Sequence, residues 1–116
     1  MIEGMYGIEF KSNLNDSGYG VVIFETGRIF GGDSSCVYIG NYKINHDRVL
    51  EANIEVTNDR KTLVSIFGDI EKFHLRGRVK LSNDDFLISE FTMHGEMVEN
   101  PAMKIEVLFT RRANLP

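Results

Sequence analysis

Three histidines (His46, His74 and His94), the single cysteine Cys36 and the pair Ser34-Ser35 are the side chains of this 116-residue chain that could serve as ligands, bases or nucleophiles. Their spacing argues against each role. A transition-metal site needs three or four His, Cys or carboxylate groups converging on one ion, and short fixed spacings usually announce it. Here the histidines fall in three separate polar stretches and Cys36 has no cysteine partner, so no metal site is expected. His74 and His94 could meet across neighbouring strands, but an enzyme built on them would need both rings within hydrogen-bond reach in one cleft. Ser34-Ser35 lacks the strand-turn-helix setting that presents a nucleophilic serine. The preceding Gly31-Gly32 leads into a strand and so offers no helix N-terminal amides to a phosphate. Asp84-Asp85, and Glu96 with Glu99, sit in loop-like segments where carboxylates solvate turns. Cys36 lies among apolar residues, the setting of an inert buried thiol. The sequence assigns no catalytic, cofactor-binding or metal-binding residue, and the expectation is a protein that is not an enzyme.

Charge narrows the partners. A formal net charge of -4 does not suit a protein that grips phosphate backbones, because that affinity comes from clustered Lys and Arg. The nearest basic cluster, Arg76, Arg78 and Lys80, has the period of two that places side chains on one solvated strand face; Arg111-Arg112 lies near the C-terminus. Direct nucleic-acid binding is not expected. One cysteine allows no intramolecular disulfide, the opening MIEGMYGIEF lacks the pattern of a secretory signal, and no apolar run reaches the roughly 20 residues of a spanning helix. A cytoplasmic protein without membrane contact is expected, and residues 1–116 read as one domain.

The elements that would position any site are short strands. Tyr6, Ile8 and Phe10 alternate with Gly7, Glu9 and Lys11, and Ser12 to Gly18 is a polar hairpin loop. Tyr19 to Glu25 is a second strand, and Thr26-Gly27 turns the chain into Arg28 to Phe30. Gly31-Gly32-Asp33 reads as a tight positive-φ turn leading to Val37, Tyr38 and Ile39, the hairpin around which the chain is organised. After Asn41 to Ile44, the polar turn Asn45-His46-Asp47-Arg48 leads to Val49 to Thr57, where Leu50, Ala52, Ile54 and Val56 alternate with polar residues. A short helical cap ending near Gly68 is expected, then a strand from Phe73. Phe86 to His94 reads as a strand with a bulge near Ser89, Gly95 to Pro101 as a loop, and Met103 to Thr110 as the closing strand.

About eight strands with turns every eight to twelve residues predict an all-β, antiparallel up-and-down barrel with at most one short helix. Closure lets the last strand pair with the first and removes both sheet edges. Val21, Val22, Ile23 and Phe24 are apolar on both faces of their strand, which marks them as a dimer or cavity surface. Phe, Tyr and Met are frequent enough to line a pocket for an apolar ligand, although an ordinary core uses the same residues.

The residues Gly4-Met5-Tyr6, Phe10, Ser12-Asn13, Gly18-Tyr19-Gly20, Gly27 to Asp33 and Val37 to Gly40 resemble, in order and spacing, the N-terminal half of the GrlR family. Those proteins are negative regulators of a type III secretion pathogenicity island. The resemblance covers about residues 4 to 57. It implies a lipocalin-like barrel, a homodimer, and action by binding a transcriptional activator. In that family an acidic Glu-Asp-Glu-Asp run engages the activator. The corresponding stretch here is Asn45, His46, Asp47 and Arg48, the candidate partner-binding loop, in which Asp47 alone matches the acidic pattern. A regulator working through protein contact is therefore the first expectation, and a carrier or sensor of a small apolar ligand inside the barrel is the second. No cofactor is expected in either.

Overall fold

A computed structural model of the chain describes residues 2–58, 72–81 and 89–116. They form β1 (Gly4–Ser12), β2 (Ser17–Glu25), β3 (Arg28–Gly32), β4 (Cys36–Ile44), β5 (Val49–Asn58), β6 (Lys72–Lys80), β7 (Glu90–Met97) and β8 (Lys104–Ala113). Each strand pairs antiparallel with the next, and β8 returns to β1, so the sheet closes into an eight-stranded up-and-down barrel. Closure runs through Ile8 opposite Phe109 and Phe10 opposite Val107, with a register shift between Met5 and Tyr6. The expected architecture is the one observed, and among the described residues there is no helix. The helical cap expected near Gly68, and the Phe86 to Ile88 part of the predicted seventh strand, lie outside the described residues.

Alternation explains why these segments are strands. In β1 Tyr6, Ile8 and Phe10 are buried while Met5 and Glu9 are exposed, which is the period-2 arrangement of a sheet with one wet face. The same phase in β4 and β5 turns Cys36, Tyr38, Leu50, Ala52 and Val56 inward. The basic set behaves as its spacing predicts, with Arg76, Arg78 and Lys80 exposed along the outer face of β6.

Turn chemistry differs from expectation at one place. Gly31 and Gly32 are not a turn; they end β3 and pair with Tyr38 and Val37, and neither adopts positive φ. Gly31 is required for another reason. A Cβ there would lie 1.9 Å from the Val21 carbonyl oxygen, so only a glycine lets β2 and β3 approach at this bend. The turn itself is Asp33-Ser34-Ser35. Asp33 Oδ1 accepts from the backbone N–H groups of Ser35 (2.8 Å) and Cys36 (2.7 Å), while the Asp33 N–H donates to the Cys36 carbonyl (3.0 Å). Positive φ falls instead at Thr26 (51°) and Gly27 (79°), the paired left-handed conformation of a two-residue hairpin turn that matches strand twist. Two boundaries also move. β4 runs unbroken through Gly40, and β7 continues through Gly95 to Met97 because Gly77 pairs with Gly95 and Arg76 with Glu96.

An up-and-down barrel has two ends. The β1–β2, β3–β4, β5–β6 and β7–β8 connections leave from one, and both termini lie at the other. At the terminal end the interior is filled by rings. Tyr6 and Phe24 meet edge to face at 5.2 Å, Phe24 and Tyr42 lie 5.1 Å apart, and Phe91 stacks on Phe109 at 4.6 Å. Tyr6 and Phe24 are fully buried. Arg111 closes this end from above: its guanidinium lies 5.1 Å from the Tyr6 ring centre, donates to the Tyr6 hydroxyl (2.9 Å) and donates to the Glu3 carbonyl (2.8 Å). Cation–π contact and charge-assisted hydrogen bonds thus tie the first and last strands together.

Candidate functional site

At the other end the described residues leave the interior open. A cavity of about 320 Å³ is bounded by Ile8, Val22, Ile54, Val56, Val107 and Phe109, with Asp33, Ser35, Cys36 and Tyr38 on one side and Tyr19 at the rim. Phe109 belongs to both regions, as one face of the stacked pair and as the floor of the space. Phe10 does not cross the axis, because its ring lies where a Cβ on Gly18 would be, 2.7 Å away. Since an apolar cavity of roughly 150 Å³ accepts benzene, this one has room for on the order of a dozen non-hydrogen atoms.

The polar wall is built by the β3–β4 turn. Asp33 uses Oδ1 to hold the turn amides, and its Oδ2 accepts from the Tyr38 hydroxyl in a short hydrogen bond. Ser35 Oγ donates to Asp33 Oδ1 at 3.3 Å and lies 3.7 Å from Cys36 Sγ. Burial pushes the Tyr38 hydroxyl far above its ordinary value, and its bond to Asp33 and that carboxylate's charge raise it further, so it is a neutral donor at any physiological pH. Ser35, Cys36 and Tyr38 are all buried. The group presents hydroxyl and carboxylate oxygens at the cavity wall, and among the described residues no cluster of His, Cys, Asp and Glu could hold a metal ion.

The residues singled out from sequence are distributed differently. Val22 lines the cavity, Phe24 packs among the rings at the opposite end, and Val21 and Ile23 face outward. Asn45, His46 and Asp47 are exposed at the ring-filled end and Arg48 is half-buried. That loop is shaped by Asn45, whose Oδ1 accepts from the N–H groups of Asp47 (2.9 Å) and Val49 (3.0 Å), and by Arg48 at φ 63°. His74 and His94 are not brought together. His94 stands opposite Arg78, while His74 bonds Glu99 through Nδ1 (2.5 Å) and through its backbone N–H (2.9 Å). Glu96 accepts from Arg76 Nε (3.0 Å) and Lys104 Nζ (3.1 Å). These are solvated surface pairs.

Sequence reasoning missed Asp33, Ser35 and Tyr38 as a joint polar group. A signal was present: an Asp two residues before Ser35 is an Asx-turn pattern, and Tyr38 shares its strand phase with Cys36.

No protein-family model matches the chain, and no curated protein matches it at a significant level.

Proposed function

We propose that this chain is a non-enzymatic binding protein that holds one small apolar molecule inside its barrel, as carrier or sensor. The observation that carries this reading is the cavity of about 320 Å³ walled by aliphatic and aromatic side chains with polar groups on one side, the make-up of small-molecule sites in general. Titration with 4-(dimethylamino)benzonitrile, a neutral dye small enough for this space whose emission shifts to shorter wavelength in apolar surroundings, tests it. Saturable binding of one dye per chain is expected. A flat titration, together with native mass spectra free of retained small molecules, would sink the reading.

A second reading, a regulator acting through protein contact, has its own support on the outer surface. Met5, Ile23, Phe30 and Ile39 form one register row across β1 to β4, and Val21 and Val37 flank it through Gly32. Val21 is 45% and Ile39 60% exposed. A continuous apolar outer face of this kind fits a homodimer or another protein surface. The resemblance to the GrlR family is the ground for naming a transcriptional activator as partner, with Asn45 to Arg48 as the contact loop. Sedimentation analysis separates the two readings: an Ile39→Asp chain that becomes monomeric while keeping dye affinity would place protein contact on the outer face alone.

A further inference from the structure

Among the described residues that line the cavity, Asp33 is the only one with a charged side chain. It makes no ion pair among the described residues; its partners are two backbone N–H groups, the Ser35 hydroxyl and the Tyr38 hydroxyl. All four donors are uncharged, so none of them forms a charge pair with the carboxylate,. Oδ1 is used fully, by both amides and the serine. Oδ2 takes only the Tyr38 proton, so one of the roughly four lone-pair directions of a carboxylate is left for a further donor. Across the barrel, on β8, the wall carries Ile105, Val107 and Phe109, where a charge is poorly screened.

Resting on the cavity reading above, we infer that the ligand is an amphiphile of about a dozen non-hydrogen atoms with an amine or hydroxyl head that donates to Asp33, and that carboxylate-headed ligands such as fatty acids are excluded. An anionic head at this wall would meet the Asp33 charge at close range and would find no cationic partner among the described residues that line the cavity,. An ammonium head would gain both a charge pair and a hydrogen bond. An alcohol would gain the hydrogen bond alone and rank between them.

The test is displacement of bound 4-(dimethylamino)benzonitrile by decylamine, decanol and decanoate at low ionic strength near pH 7, where the amine is cationic and the acid anionic. The expected order of potency is amine, alcohol, acid, with the amine ahead of the acid by on the order of ten-fold or more. Asp33→Asn keeps an oxygen for the turn amides and removes the charge, so dye binding should persist while the amine-to-acid ratio collapses toward one. Tyr38→Phe keeps the charge and should keep the preference. Dye binding with decanoate as potent as decylamine, or a ratio that Asp33→Asn leaves unchanged, would overturn the head-group assignment alone. Absence of dye binding to the unaltered chain would overturn the cavity reading and the assignment together.

Discussion

The two ends of this barrel are built on one repeating pattern and have opposite interiors. At the end where the termini meet, Tyr6, Phe24, Phe91 and Phe109 reach across the axis and pack edge to face or stacked. At the other end Ile8, Val22, Ile54, Val56 and Val107 point inward beside Phe10, Tyr38 and Phe73, and the described residues leave a space of about 320 Å³. Hydrophobicity does not distinguish the two sets. Reach and direction do: an eight-stranded barrel is just wide enough for side chains to fill it, and rings packed on one another fill it where branched aliphatics, or a ring laid along the wall as Phe10 is over Gly18, stop short. The ring-filled end is the more densely packed, and the hollow end is the part that, on the proposal above, receives a ligand.

The comparison breaks most visibly under truncation. Phe24→Ala, at a site with no solvent exposure, should cost about 3–5 kcal/mol in urea unfolding. Ile105→Ala, at a buried site bordering the cavity, should fall near the low end of its class, about 2 kcal/mol. Its neighbours already lack partners on one side. Equal losses would mean that the two ends are packed alike.

Overpacking should reverse the ranking. Ala52→Phe, among the rings' neighbours and only 2% exposed, should destabilise by about 1–3 kcal/mol or more. Val107→Phe should change stability by less than about 1 kcal/mol, because the ring can enter existing space. The same change should lower dye affinity on the order of ten-fold by occupying part of the space a ligand needs. A Val107→Phe chain that binds dye normally would show that the dye sits elsewhere.

A smaller effect sharpens the comparison at the ring-filled end. Thr26 holds a left-handed conformation that suits Asn far better than a β-branched residue,. Thr26→Asn should raise stability by about 1 kcal/mol, read as a higher melting temperature. Its backbone N–H would still donate to Glu3 Oε2 at 2.7 Å.

The smallest expected effect is the response to acid, and it is confined to the outside of the hollow end. Hydrogen bonds from Lys104 and Arg76 hold the Glu96 carboxyl below its ordinary value, and those from the His74 ring and backbone do the same for Glu99. Both are depressed in the fold, so their stabilisation is present above the ordinary glutamate value of 4.5 and is lost as pH falls through their lower folded values,. Acid should therefore loosen the β6–β7–β8 seam first. Amide exchange of Val98, whose N–H donates to the His74 carbonyl at 2.8 Å, should accelerate below that pH relative to amides of β1 and β2. Glu99→Gln should reduce the acid-induced change.

Much of the fold was legible because alternation is a local property. Tyr6, Ile8 and Phe10, or Leu50, Ala52 and Val56, declare their buried face within a few residues, and Thr26-Gly27 declares its turn within two. Gly31-Gly32 was misread because a glycine needed for positive φ and one needed for close backbone approach look the same in sequence. The Val21 to Phe24 run was legible as two apolar faces, but not as four separate fates.

Sequence by itself determined the strands, their number and the closure that an even meander with apolar inner faces favours. Tertiary structure alone decided that Phe10 lies along the wall over Gly18 while Phe24 and Phe109 cross the axis, and so which end is solid. It also decided that Asp33, fixed by its turn, faces that hollow beside Tyr38. The reason is physical: the direction of each side chain along a strand follows from the chain's own period of two, but whether opposing side chains meet depends on residues far apart in sequence that only the closed barrel sets face to face.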